Sequence, residues 1–242
     1  MILSRRGPGW RPVGAGSRSP ISPAISDPGG CLPKFPNPPA TDTLIGVVPE
    51  LHRLPVGTIL WRVYFRGGPH PGRWDLFRNV GPTTARFDHH LADPDGRPQV
   101  QALAIQYAAL DGITPLAEVF QDTRVIDRQA RRPWLVAYAL TAELTLLDLT
   151  GTYPTRAGAS MLINCGSRPR ARAWSRAFHA AYPQVQGLCY GSCLHANWPS
   201  LALYERARGA VPASPLLHRA LSDAALKLTL RNATAQLGYM LI

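Results

Sequence analysis

The stretch Tyr107–Phe120, "YAALDGITPLAEVF", decides how this chain is read. It begins as a buried strand, breaks at Asp111-Gly112, and restarts at Thr114-Pro115. A threonine side chain can satisfy the free N–H groups at a helix start, and proline already has the backbone angle of a first helical residue. The spacing therefore predicts a strand, a sharp turn, and a helix N-capped by Thr114 that runs to about Asp122. Glu118 then falls among apolar neighbours in the first turns of that helix. A carboxylate in such surroundings is costly unless it is paired or hydrogen-bonded. Either a neighbouring side chain or a ligand must satisfy it.

Working outward, Val100–Ala108 is an apolar strand, and Leu60–Phe65, "LWRVYF", is a strand by its aromatic and β-branched content. Residues 66–99 between them are rich in Gly, Pro and Asp and carry "RGGPHPGRW" and "GPTTARFDHH". A loop that long in a compact domain is usually functional. Downstream, Leu135–Leu149 reads as one or two strands. Residues 170–182 form an amphipathic helix with Trp174, Ala177, Phe178, Ala181 and Tyr182 on one face. Gly187–Tyr190 is a short strand, "PSLALYERA" a short helix, and the C-terminal stretch from Leu216 a helical start followed by a final strand. No GxGxxG follows a strand and no repeat is evident. This order predicts an α+β fold with a mixed sheet and flanking helices, not a doubly wound one.

A length of 242 residues suits one large domain or two small ones. Residues 1–43 are crowded with Pro, Gly and Ser and have too little apolar surface to offset their chain entropy. They read as a disordered extension, with the folded domain over 44–242. No apolar run follows the Arg5-Arg6 pair, so a secretory signal is not expected, and the prolines argue against an amphipathic transit helix. The net charge is +11, and from Leu44 onward 21 Lys+Arg stand against 13 Asp+Glu. Such a balance suits an anionic partner: nucleic acid, a nucleotide phosphate or an acidic protein. The arginines are scattered, however, and none of their runs interleaves with aromatics as a nucleic-acid groove requires. The four cysteines form no CxxC pair, and the adjacent His89-His90 rings point apart on most backbones, so no metal site is expected. Trp134–Leu149 is interrupted by Glu143 and Asp148 and is too short to span a membrane. A soluble, cytoplasmic protein with reduced thiols follows.

Five polar residues stand where their local structure does not require them. Arg62 interrupts "LWRVYF", Arg86 precedes an aromatic in "GPTTARFDHH", Tyr107 lies near a strand end, Glu118 sits on the next helix, and Ser192 follows the strand in "GLCYGSCLHAN". In this order, over residues 50 to 230, the set resembles the RES domain, found in toxins of bacterial toxin–antitoxin pairs. Arg73 in "PGRWD" competes with Arg86 for the loop arginine. The resemblance implies an enzyme with an ADP-ribosyltransferase-like fold. It takes NAD⁺ as substrate, cleaves the nicotinamide–ribose bond, and passes ADP-ribose to phosphate, water or a protein. It also implies a separately encoded antitoxin as partner, inorganic phosphate as a co-substrate, and no metal.

Within that resemblance Glu118 stabilises the developing ribose cation, with Arg62 beside it, and the forks of Arg62 and Arg86 suit the pyrophosphate. Tyr107 stacks on the nicotinamide ring and Ser192 bonds the carboxamide or a phosphate. The alternatives are a protein ADP-ribosyltransferase on the same scaffold, a basic nucleic-acid-binding module, and a domain that retains the fold without the reaction. A nucleic-acid module would bind with a steep salt dependence.

Overall fold

The structure is a computed structural model, and it describes residues 34–242. Eleven strands run in chain order: β1 Leu51–Leu54, β2 Ile59–Phe65, β3 Arg78–Gly81, β4 Gln99–Ala109, β5 Val125–Ile126, β6 Pro133–Ala139, β7 Leu144–Asp148, β8 Gly187–Gly191, β9 Pro199–Tyr204, β10 Leu217–Ala220 and β11 Met240–Leu241. The helices are α1 Thr41–Ile45, α2 Thr114–Val119, α3 Tyr153–Arg156, α4 Leu162–Cys165, α5 Arg168–Ala181 and α6 Lys227–Leu237. Nine strands form one sheet in the order β1-β7-β8-β9-β4-β2-β6-β10, with β3 added against β4. Its neighbours are antiparallel except β7 and β8, which are parallel. This is a mixed α+β architecture with helices flanking a large mixed sheet, the class the element order predicts.

Strand alternation divides the core. On one face, Ile105, Leu147, Leu188, Tyr190 and Tyr204 pack beneath Trp174 and Phe178 of α5. Farther along that face, Val63 and Leu135 pack under Leu116 and Phe120 near α2 and under Leu230 of α6. The opposite face buries Leu60, Ala104, Tyr138, Leu146 and Leu201 under Phe77 and a 3₁₀ turn carrying Ala207 and Ala210.

Several local expectations are corrected. "PSLALYERA" is strand β9 followed by the 3₁₀ turn Glu205–Ala210, not a helix. Both faces of β9 are buried because it lies inside the sheet, so its sequence is a continuous apolar run that periodicity cannot assign. The C-terminal stretch opens with the strand β10 at the sheet edge, and its helix starts only at Lys227. The long loop 66–99 contains β3. Leu135–Leu149 resolves into two strands, β6 and β7.

The expected boundary at Leu44 falls too late. Phe35 is 3% exposed, its carbonyl accepts from Arg170 Nη1 at 2.7 Å, and the Pro36 carbonyl accepts from Trp174 Nε1 at 2.8 Å. Residues 35–43 therefore belong to the packed body; the rest of the expected extension, residues 1–33, lies outside the described residues. Truncating a buried phenylalanine costs about 3 kcal/mol or more. Phe35→Ala should therefore lower the unfolding free energy by about 3 kcal/mol in denaturant titrations, and a chain starting at Leu44 should show a similar loss.

Candidate functional site

The break in the opening stretch is made by Asp111, not Thr114. The Asp111 carboxylate accepts from Ile113 N at 2.7 Å, from Thr114 N at 2.9 Å, and from the Thr114 hydroxyl. The cap position of α2 is Ile113, whose side chain has no oxygen to offer, so the carboxylate two residues earlier satisfies the first N–H groups. The helix is short, ending at Val119 rather than near Asp122. Glu118 on its last turn is half-buried, and Ser192 Oγ donates to Glu118 Oε1 at 2.6 Å across 74 residues of sequence.

Ser192 is fully buried in a tight turn after β8. Its N–H donates to Trp198 O and its carbonyl accepts from Asn197 N, both at 2.9 Å. Ala196 and Asn197 take φ of 46° and 61°, the left-handed region that an alanine enters only under constraint. The constraint comes from buried His195. Its Nδ1 meets the Thr114 hydroxyl at 2.8 Å, its Nε2 meets Gln236 Nε2 at 2.9 Å, and its ring stacks on Trp198. Because the Thr114 hydroxyl donates to Asp111, His195 Nδ1 must be the donor to Thr114, leaving Nε2 to accept from Gln236.

Arg86 lies on the loop before β4. The Tyr107 hydroxyl accepts from Phe87 N at 3.2 Å, and burial pushes that phenol well above its ordinary range. Tyr107 thus holds the arginine's loop in place. Arg86 Nη1 donates to Gly166 O at 2.7 Å. Burial raises both the Tyr190 hydroxyl and the Cys193 thiol; Glu118 adds to the rise and Arg86 opposes it.

The loop is built on acids that the sequence reading did not single out. Asp88 is fully buried and accepts from Arg78 Nη2 at 3.0 Å, from Thr83 N at 2.6 Å, from the Thr83 hydroxyl at 2.7 Å, and from His90 Nδ1. Burial alone would raise its carboxyl, but these partners hold it well below the usual carboxylate range. Glu205 joins His89 Nε2 at 3.2 Å and His179 Nε2 at 2.7 Å and accepts from Ala104 N at 3.2 Å. The two imidazoles and this carboxylate gather within 4.8 Å, a grouping able to hold a metal ion. Arg206 Nη2 lies 3.4 Å from His179 Nδ1. Arg206 Nη2 also donates to His179 O at 3.0 Å, and a proton on His179 Nε2 would complete the bond to Glu205 Oε1. The cluster is a hydrogen-bonded clamp between the loop, α5 and the 3₁₀ turn. The adjacent pair "HH" was the visible signal; what it misses is that the two rings bond different carboxylates.

Arg62 does not join this group. Trp61 is paired with Ala109 across β2 and β4, so Arg62 shares its face with Gln106 and Ala108, opposite to Tyr107. Its Nη1 donates to Trp74 O and Leu76 O, each at 3.1 Å, where Gln106 Nε2 also reaches. Its Nε has no partner among the described residues, and burial pulls the guanidinium below its ordinary pKa. Arg62 thus lies under the face opposite Tyr107; of the five expected residues, hydrogen bonds join Ser192 to Glu118 and Tyr107 to the Arg86 loop. Arg73, the rival loop arginine, is spent on a two-pronged pair with Asp75 at 3.1 and 2.7 Å.

No family model matches the chain, and no curated protein matches it. Among solved structures it is similar to one in the M. tuberculosis MbcT–MbcA toxin–antitoxin complex, at 15% identity and a TM-score of 0.48, over 79% of this chain and 96% of that one. A likeness of that size carries no functional argument. No helix among the described residues is long and apolar enough to cross a membrane.

The clamp gives a pH signature. Burial, only partly opposed by Glu205, lowers the His89 pKa from its ordinary 6.5, and the two imidazoles hold Glu205 well below the usual carboxylate range despite burial. Both shifts mean that the unfolded chain binds more protons than the folded one under acidic conditions. Stability is then fully present above pH 6.5 and is lost as pH falls, first through His89 and below pH 4.5 through Glu205. Melting temperatures recorded from pH 8 to 5 should decline below 6.5, with a shallower decline in His89→Gln. A flat wild-type profile would contradict the clamp.

Proposed function

We propose that this chain is an NAD⁺-consuming toxin that cleaves the nicotinamide–ribose bond and passes ADP-ribose to phosphate or water. The observation that carries the reading is the Ser192–Glu118 hydrogen bond at 2.6 Å, which joins two residues of the expected set that lie 74 positions apart in sequence. Arg86 lies on the loop that Tyr107 secures, and its charge opposes that of Glu118 at the Cys193 thiol. The resemblance to the RES domain rests on these same residues.

The chemistry follows from charge. Loss of neutral nicotinamide leaves an oxocarbenium-like ribose, so the group most needed is a fixed carboxylate beside the sugar, as in glycoside cleavage. Ser192 occupies one oxygen of Glu118 and fixes the plane of the carboxylate; the other oxygen is available to the ribose. Arg86 meets phosphate with a guanidinium that keeps its charge and presents parallel donors. An antitoxin would act by covering this face.

Glu118→Gln keeps shape and hydrogen bonding but removes the charge. NAD⁺ turnover should fall by about 10²–10³-fold with the melting temperature nearly unchanged. Product analysis by mass spectrometry, with and without phosphate, separates ADP-ribose 1″-phosphate from free ADP-ribose. Retention of most turnover together with a several-degree drop in melting temperature would reduce Glu118 to a structural partner of Ser192.

A further inference from the structure

Helix α5 carries Arg168, Arg172 and Arg176 at four-residue steps, so the three side chains form one row along the helix. The row borders the buried stripe of α5 on the side of Ser175, whose hydroxyl donates to Phe87 O at 2.8 Å. The loop bearing Arg86 therefore runs beside it, and Arg86 itself reaches Gly166 O, just ahead of Arg168. On the other side, Arg168 Nη2 donates to Gln121 Oε1 at 2.8 Å, and Gln121 Nε2 donates to Glu118 O at 2.7 Å. Arg86 and Arg168 thus meet where the loop, the end of α2 and the first turn of α5 come together, linked through Gln121 to the main chain of Glu118, and Arg172 follows one turn along α5.

Their charge is uncompensated. Arg53, Arg73, Arg78 and Arg156 each hold a carboxylate within ion-pair distance. Among the described residues Arg86, Arg168 and Arg172 have none: Arg86 bonds a carbonyl and Arg168 a neutral amide. Burial and then Arg172 lower the pKa of Arg176, as expected for like charges held close; the acid acting on Arg176, Asp88, is already engaged by Arg78, His90 and Thr83. Half-buried like charges without a counter-charge are costly unless an anion completes them, and the guanidinium fork fits phosphate oxygens.

We infer that Arg86, Arg168 and Arg172 form an anion subsite for the diphosphate of a nucleotide substrate. It deepens the proposed function, on which the identity of that nucleotide rests, and it supplies the phosphate contacts that Arg62 cannot. From Arg168 to Arg172 the row advances only about 6 Å at 1.5 Å per residue, a length suited to a diphosphate. Trp174 and Phe178, the aromatics of α5, are fully buried, which removes the stacking surface that a single-stranded polynucleotide would use.

The test is calorimetric titration of the full chain, at one fixed salt concentration, with inorganic pyrophosphate, ADP-ribose, nicotinamide riboside and a short single-stranded oligonucleotide. Arg168→Gln and Arg172→Gln should each weaken pyrophosphate and ADP-ribose about tenfold, the scale of one lost charge-assisted contact. Nicotinamide riboside, lacking the diphosphate, should bind all variants alike. Arg219→Gln, which removes an equal charge from strand β10, should change nothing. Lysine variants should recover part of the loss, since they keep the charge without the fork; they also stand in should a glutamine variant melt early. Wild-type affinity for ADP-ribose in folded Arg168 and Arg172 variants overturns the subsite. So does tighter binding of the oligonucleotide than of ADP-ribose that is lost in the same variants, or failure of the wild type to bind pyrophosphate and ADP-ribose at all. Absence of NAD⁺ cleavage by a wild type that binds ADP-ribose through these arginines overturns the proposed reaction and leaves the subsite standing.

Discussion

The candidate site depends on a relay of hydrogen bonds that starts at one carboxylate. Asp111 fixes the first turn of α2 and takes the Thr114 hydroxyl proton; Thr114 accepts from His195; His195 accepts from Gln236 of α6. Each step has one direction, because a carboxylate only accepts and the chain of donors must run toward it. The relay links the helix that carries Glu118 to the turn that carries Ser192 and sets their separation from below. Without it, a six-residue helix and a turn with two residues at positive φ would each be free to wander. Glu118 is placed by residues that do not touch its own carboxylate.

A second constraint is the sheet itself. A strand sends successive side chains to opposite faces, so a polar residue one position away from the site face belongs to another environment entirely. Tyr107 and Gln106 are adjacent in sequence, yet Tyr107 serves the Arg86 loop while Gln106 lies with Arg62 over the carbonyls of Trp74 and Leu76. Within the loop between β3 and β4, Phe87, Asp88, His89 and His90 are fully buried. Gly81 meets the His90 ring so closely that an added Cβ would lie 2.6 Å from its Cγ. The loop's shape is therefore dictated by Asp88 and Gly81 as much as by the residues that face the site.

Much of this was legible in the sequence, and the failures have physical causes. Strand, break and helix around Asp111 were expected from turn chemistry, although the cap was placed on Thr114 rather than on Asp111; β2 and β4 followed from apolar, aromatic and β-branched content and α5 from periodicity. Strand β9 was missed because a strand buried on both faces loses the alternation that marks a half-buried one. Glu118, Ser192, Arg86 and Tyr107 were visible as polar residues out of place. Arg62 was visible for the same reason, but oddness in a strand does not reveal a face; that needs the Trp61–Ala109 register. Arg168 and Arg172 were not singled out, because arginines off the apolar face of an amphipathic helix look like an ordinary solvated side. Only the passage of the Arg86 loop alongside them distinguishes these from the rest.

The order of strands in the sheet also governs when the site comes into being. The strand that ends at Ala109 has as its neighbour β9, which begins at Pro199, and β8 with its serine turn pairs with β9 in turn. During synthesis the segment from Tyr107 to Glu118 emerges while its neighbour on that side has yet to be made. Closure of loops that long precedes any reward from pairing. A growing chain thus carries Glu118 and Ser192 as unconnected pieces until β9 has been translated. Translation cut short before β9 yields a fragment without an assembled centre.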